Sequence, residues 1–382
     1  MPSVRTVAIV GGGIAGLATA VALRSYGLEV TVYERAPALT DVGAGISLWP
    51  NATRALRRLG ALDALSPLAG QIQALNIRDA HGAVLLRTEA TASDAPALCA
   101  YRPDLIEALR AQLPPQALQP GHTLTAVDAK GAQARLAFAE GSTAEADLVV
   151  GADGLHSRVR AYVTGKAPTP VYRGYRVWRG IGPLPTSFVP GEPSESWGDG
   201  RRFGLFDVGQ GRVYWYATTN RPEHEPGRPP QARQAEVQRL FEGWHDPIGE
   251  AIAATPSEAI LYGPTYDRQP RRGWSQGRAV LVGDAAHPAT PNLGQGGCMA
   301  LEDGLVLARC LAEASSLSEA LASFERARYR RTARVMRQSL WTGRLGQTTG
   351  RVARARNAAT RLVPGPLFAQ RLRWLYQYAA WE

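Results

Sequence analysis

The sequence predicts a mixed α/β protein: a Rossmann-like dinucleotide-binding domain, a β-rich domain inserted into it, and helices at the C-terminal end. Three observations predict this. The apolar run Val7-Ala8-Ile9-Val10 passes directly into Gly11-Gly12-Gly13-Ile14-Ala15-Gly16. An aromatic-rich middle, with Trp178, Trp197, Phe203, Phe206, Tyr214, Trp215 and Tyr216, alternates as antiparallel strands do. A second buried-strand pattern, Ala279-Val280-Leu281-Val282, then precedes long helical periodicity to the end of the chain.

The opening unit reads as strand, glycine turn, helix and strand. In G-x-G-x-x-G each glycine serves a different need: a tight turn at Gly11, close backbone approach to a pyrophosphate at Gly13, and helix–strand packing at Gly16. The helix that follows presents unpaired N–H groups and a positive dipole end to an anion. Its pattern runs from Ile14 to Gly27, and the next strand, Val30–Tyr33, ends at Glu34, where a dinucleotide site places a carboxylate for ribose hydroxyls.

The chain then offers Gly43-Ala44-Gly45-Ile46, an amphipathic stretch from Asn51 to Leu59, and strand patterns at Ile72–Arg78 and Ala83–Arg87. A helix from Arg102 to Leu113 stops at Pro114-Pro115. Strands are expected at Leu124–Val127, Ala134–Phe138 and Asp147–Val150, the last running into Gly151-Ala152-Asp153-Gly154 and a helix start. Met299–Ala312 and Leu317–Leu340 are long helical segments, and Pro364 and Pro366 precede a last helix. The expected division is a discontinuous first domain (residues 1–170 and 265–345), a sheet domain (171–264) and a helical segment (346–382).

Composition narrows the function classes. Cys99, Cys298 and Cys310 are scattered without a C-x-x-C pair, so neither a disulfide framework nor a metal site is expected. The strand pattern begins within a few residues of Met1 and no apolar run is long enough for a bilayer. A cytoplasmic protein with no integral membrane segment is the expectation. Net charge is +10, and between Arg326 and Arg373 there are many arginines and no Asp or Glu. Such a segment suits nucleic acid, anionic lipid or an acidic partner. It also suits a solvated helical face in a chain whose only lysines are Lys130 and Lys166. The solvated face, without nucleic acid, is the preferred reading.

Three separated signals carry the chemistry: Gly11-x-Gly13-x-x-Gly16 with Glu34; Gly151–Gly154 with His156-Ser157-x-Val159-Arg160; and Gly283-Asp284-Ala285-Ala286-His287-Pro288 with Pro291 and Gly294-Gln295-Gly296-Gly297. In this order they resemble the single-component FAD-dependent aromatic hydroxylases, the para-hydroxybenzoate hydroxylase class. Gly43–Asn51 and Gly294–Asp303 make the chain most similar to the bacterial FAD-dependent urate hydroxylase subgroup. The resemblance covers nearly the whole chain and implies FAD as cofactor, NAD(P)H as transient reductant and O2 as co-substrate. It implies hydroxylation of an aromatic or heteroaromatic small molecule through a flavin C4a-hydroperoxide.

The same resemblance assigns residues. Gly11, Gly13, Ile14, Ala15 and Gly16 would cradle the pyrophosphate, Glu34 and Arg35 the adenosine end, and Arg102 the flavin chain and phosphates. Gly45, Asp153, Gly154 and Asp284 would contact FAD, Pro291 would pack near the isoalloxazine, and Gly294, Gly296 and Gly297 would begin a helix aimed at the flavin N1–C2=O edge. A positive helix end there stabilises negative charge on reduced flavin. Asp153 and Asp284 could instead be helix caps, and a structural role is preferred for His287.

Arg202 and Tyr214 are the catalytic candidates, twelve residues apart on two expected neighbouring strands. That spacing matches the urate hydroxylase subgroup, although Arg201–Asp207 departs from those enzymes and the aromatic richness fits a larger or polycyclic substrate equally well. Either residue could also be structural. Alternation puts Tyr214 and Tyr216 opposite Trp215 without saying which face is inward. Trp178-Arg179-Gly180-Ile181 differs from the flavin halogenase motif. Two rival readings are an FAD-dependent reductase or dehydrogenase of isoprenoid or polyketide substrates, and a basic binding protein. The protein is expected as a monomer or homodimer.

Overall fold

A computed structural model describes residues 4–38, 44–90, 94–166, 169–225, 227, 229–379 and 381; Gly43 of the second glycine run lies outside them. One sheet has six strands in the order Ser275–Gln276, Ala279–Leu281, Leu148–Gly151, Thr6–Val10, Glu29–Glu34 and Leu118–Pro120. All neighbours are parallel except the first two. Parallel strands flanked by helices are covered on both faces, so they read as continuous apolar runs. Val7–Val10, Leu148–Val150 and Ala279–Leu281 are accordingly buried.

The register fixes where a ligand can sit. Val10 lies beside both Gly151 and Tyr33, and Gly151 lies beside Leu281. The carboxyl ends of three strands therefore finish together, and one of the three chemical signals leaves each of them. In open α/β sheets this end is where ligands bind.

A seven-stranded sheet stands apart, in the order Leu261–Asp267, Val171–Pro183, Arg212–Asn220, Arg201–Asp207, Ser194–Trp197, Ala74–Asp79 and Val84–Glu89. The middle of the chain supplies four of these strands. Two join from residues 74–89, and the strand at the other edge runs on to Asp267, past the expected boundary at 264. The reason is a strand pairing no local pattern announces: Ser194–Trp197 runs parallel to Asn76–Asp79.

Alternation gives the sheet two unlike faces. Trp178, Phe203, Leu205, Val213, Trp215 and Ala217 form a second core with Val237, Phe241, Ile248 and Ile252 from two covering helices, Pro230–Leu240 and Ile248–Ala253, and the residue after the first. The Trp215 indole N–H donates to Thr255 Oγ1 at 2.8 Å, which satisfies the polar atom of a fully buried ring. On the opposite face Phe206 is buried in the main core, with Tyr214 and Tyr216 packed against it. Tyr214 and Tyr216 thus face the dinucleotide-binding half.

Helix Gly296–Glu313 packs along the first helix, Ile14–Ser25, and its Gly304 is pressed so close to Thr19 that a Cβ would lie 2.8 Å from its backbone. Helix Leu317–Gly346 follows, with a buried charge cluster between the two. Asp303 accepts hydrogen bonds from the Gly283 N–H (2.7 Å) and Arg328 Nε (2.7 Å), and its Oδ2 lies 2.6 Å from His287 Nε2. Glu302 accepts two bonds from Arg331 and one from Asn51, and pairs with Arg328 at 2.6 Å. Arg331 goes on to the Leu375 carbonyl, which ties down the last helix, Gly365–Tyr376. That helix and Gly350–Arg361 lie across the edge strand Val84–Glu89.

Burial pushes the Asp303 carboxyl up, but the His287 and Arg328 charges outweigh it and hold the pKa at about 2. A depressed carboxylate contributes stability above its unfolded value, about 4, and loses it as pH falls through the folded value. Asp303→Asn is therefore expected to destabilise by about 3–5 kcal/mol near neutrality, because it leaves Arg328 buried beside one carboxylate fewer. Urea unfolding of the two proteins checks this: the gap between them should narrow from pH 5 towards pH 2, and a gap independent of pH would contradict it.

Candidate FAD site and substrate face

The candidate phosphate end is built by contacts that only glycine allows. Gly11 has φ +108°, and a Cβ there would lie 2.5 Å from the Ala152 carbonyl oxygen. A Cβ on Gly16 would lie 1.9 Å from the Gly11 carbonyl oxygen. Gly283, at φ +57°, is pressed against Ala15, with 2.6 Å between its built Cβ and the alanine methyl. These contacts draw the three signals onto one point. Gly13 differs: nothing lies within 4 Å of where its Cβ would be. It is the N-cap of Ile14–Ser25, no side chain caps it, and the first turn carries no acid. This is an open, uncapped helix end, which fits a pyrophosphate.

Glu34 reaches across the same loop, accepting from the Gly12 N–H at 2.7 Å and the Ala36 N–H at 2.9 Å. Arg35, beside it, is exposed. Arg102 is the first residue of helix Arg102–Arg110, and its N–H donates to the Ala44 carbonyl at 2.9 Å. Asp153 is engaged at the start of helix Arg158–Thr164: it accepts from the Arg158 N–H (2.7 Å), the Val159 N–H (3.3 Å) and the Ser157 hydroxyl (2.5 Å). The capping role considered for Asp153 is thus present in the structure. Gly154, at φ +76°, makes the turn between them. From the same helix Arg160 donates to the Ala285 and Ala286 carbonyls at 2.8 and 3.0 Å, which pins the second signal to the third.

Asp284 makes no such cap. Its carboxyl opens on solvent but is crowded by protein, and that desolvation raises its pKa, with His287 and Arg102 pulling the other way. His287 is buried against Asp303 and the Trp274 ring, a structural placement. Cys99 and Cys298 are buried, and desolvation pushes both thiols up to about 12, so neither is a nucleophile at neutral pH.

At the other end, Pro291–Leu293 forms a single turn closed by Gly294 at φ +60°. Helix Gly296–Glu313 then begins at Gln295 with no side-chain cap, and the space at Gly296 is open. Gly297 packs on Ile46, with a built Cβ 2.5 Å from its Cδ1. One residue earlier, Gly45 lies flat under the Tyr214 ring, 2.4 Å from a built Cβ. The short strand Gly45–Leu48 therefore joins the helix end at Gly296 to the inward face of the seven-stranded sheet.

Arg202 and Tyr214 share that face, since Arg202 pairs across with Thr218 and Tyr214 with Phe206. Their situations differ. Arg202 is 2% exposed and donates to Glu195 (2.9 Å), Asn292 (2.6 Å) and Gln347 (3.1 Å). Its guanidinium is committed to protein partners. The Tyr214 phenol is half-buried; desolvation raises its pKa, and the nearby Arg179 charge only partly counters that. It remains an O–H group at neutral pH.

Arg179 is the residue sequence reasoning passed over. It lies opposite Tyr216 on the inward face and is half-buried. On the same strand, Arg173 pairs with Asp267 and Arg176 with Glu225, whereas no carboxylate pairs with Arg179 among the described residues. The available signal was a cation inside the run Tyr175–Ile181. Glu195, Asn292 and Gln347 gave no signal, because their role exists only through Arg202.

This arrangement, two uncapped helix ends with glycine turns packed around them, suits a long dinucleotide. Comparison with known proteins agrees. Residues 5–339 match the family described as "FAD binding domain". The chain belongs to that family. It is 43% identical to the aurachin C monooxygenase/isomerase of Stigmatella aurantiaca, over 90% of each chain. It is 38% identical to a 3-amino-4-hydroxybenzoate 2-monooxygenase of Streptomyces cremeus, over 87% of this chain and 85% of that one. The crystal structure of Klebsiella pneumoniae HpxO with FAD and uric acid superposes with a TM-score of 0.91 at 27% identity, covering 96% and 95% of the two chains. The protein is an FAD-dependent monooxygenase, which favours the main sequence reading over a reductase or dehydrogenase.

Gly13 separates a ligand effect from a folding effect. Gly13→Ala is expected to change the stability of the flavin-free protein by no more than about 1 kcal/mol, since the site is open. It should weaken FAD binding tenfold or more. Gly16→Ala should lower both. Flavin absorbance per protein and urea midpoints measure the two quantities separately.

Proposed function

We propose that this monooxygenase hydroxylates a small aromatic or heteroaromatic molecule bearing an acidic hydroxyl or carboxylate, held between the Pro291–Gly297 segment and the inward face of the seven-stranded sheet. The observation that carries this reading is Arg179: a half-buried cation on the inward face of the sheet, beside two phenols, with no carboxylate partner among the described residues. Leaving a guanidinium there unpaired is costly, and an anionic substrate would satisfy it. The reading is supported by relatives named for the oxidation of 3-amino-4-hydroxybenzoate and 6-hydroxynicotinate, both acidic aromatic rings.

When bound, FAD supplies hydride acceptance from NAD(P)H and the activation of O2. The chain's own residues do the rest. The uncapped helix start at Gly13 would hold the pyrophosphate, and Glu34 the ribose while it also orders the Gly12 turn. Asp284 and Arg102 would face the chain between phosphates and ring. The helix start at Gln295–Gly297 would place its N–H groups where negative charge develops. Tyr214, kept protonated, would donate to a substrate oxygen beside Arg179. Arg202 would be a positioning residue: its bond to Asn292 fixes the Pro291 turn against the sheet.

The test is a screen of NAD(P)H oxidation and O2 uptake with acidic phenols, hydroxypyridines and purines, each against its neutral analogue. Stimulation confined to the acidic members is expected, and product formation without O2 would refute hydroxylation. With the best substrate, Arg179→Met should raise KM roughly 10- to 100-fold at unchanged flavin content, with partial rescue by Arg179→Lys. An unchanged KM would remove Arg179 from the substrate site.

A further inference from the structure

We propose that the C-terminal helices form a docking surface for an anionic lipid bilayer. On Leu317–Gly346 the exposed residues from Arg330 onward are Arg330, Arg334, Arg337, Trp341 and Arg344. Their spacing of three and four places them on one stripe. Trp341, in its centre, is 63% exposed, an unusual position for a large aromatic side chain.

The next helix, Gly350–Arg361, buries only Ala353 and Arg356. Its outer side carries an apolar stripe, Val352, Ala355, Ala359 and Leu362 at its end, edged by Arg351, Arg354 and Arg361. Leu362 is 83% exposed and Val352 60%. Leu367 follows at 45% exposure on the last helix, which adjoins the longer one where Arg334 lies 3.8 Å over the Trp374 ring. A solvated face has no use for these apolar groups. Aromatic and aliphatic residues rimmed by arginine are the pattern of helices that lie in a membrane interface.

Charge selects the occupant. No Asp or Glu occurs between Arg326 and Trp381. Although Arg361 is paired with Asp79 from the sheet, Arg330, Arg334, Arg337, Arg351 and Arg354 have no carboxylate partner among the described residues. This surface therefore repels a second copy of itself and attracts phosphate-bearing headgroups. A nucleic acid would use the arginines but not the apolar stripe. No helix among the described residues is long and apolar enough to cross a membrane, so the association is peripheral.

The experiment is sedimentation of the full-length, flavin-loaded protein with phosphatidylcholine vesicles, with and without phosphatidylglycerol. Binding to the mixed vesicles only, weakened by salt, is expected. The double variant Trp341→Ser, Leu362→Ser should reduce that binding about tenfold with flavin content and circular dichroism unchanged, and Arg337→Glu should reduce it separately. No binding to anionic vesicles at low salt overturns the proposal. So does binding that ignores the double variant, or duplex DNA bound as tightly as the vesicles. A dimer by size-exclusion chromatography that Leu362→Ser dissociates would also overturn it, by giving the stripe to a second copy.

Discussion

The structure depends on one constraint, the absence of a side chain where the first helix crosses the end of the first strand. Gly16 rests on the Gly11 carbonyl and Gly11 on Ala152, at separations no Cβ permits. That approach sets how near the helix start can come to the carboxyl ends of three parallel strands. The arrangement around the first glycine turn follows from it. The Asp284 turn seats on Ala15 through Gly283, and Arg160 can then reach the carbonyls of that turn.

Two further devices hold the Pro291–Gly297 segment in register with this turn. The Asp303 carboxylate takes the Gly283 N–H, while one residue earlier Glu302 holds Asn51 and, through Arg331, the last helix. Helix Gly296–Glu313 thus starts beside the Pro291 turn and has its body fastened to the Gly283 turn. Arg202 performs the matching task from the sheet. Its bonds to Asn292 and Gln347 join the inward face to the Pro291 turn and to the end of the long helix.

Much of the fold was legible because its signals are local. The glycine fingerprint, the strand preceding each chemical signal and the tail prolines each impose a backbone consequence within a few residues. The inward face of the seven-stranded sheet was less legible. Alternation along Arg212–Asn220 has two solutions, and only the helices that bury Trp215 decide between them. Arg179 was obscured for a similar reason: an arginine in a strand means little until the acids near its neighbours are known to miss it. The parallel pairing of residues 194–197 with 76–79 spans more than a hundred residues of chain, and nothing in either segment names the other.

The seven-stranded sheet ends at Val84–Glu89, a strand with one row of backbone groups that pairs with no further strand among the described residues. The final helix begins so close to it that a Cβ on Gly365 would lie 2.2 Å from the Arg87 carbonyl oxygen, and Thr88 donates to the Gly365 carbonyl at 3.3 Å. An uncovered sheet edge is a template for other chains. The last helices therefore act as a lid on a sticky seam, and colloidal behaviour of the whole protein hangs on a segment remote from its chemistry.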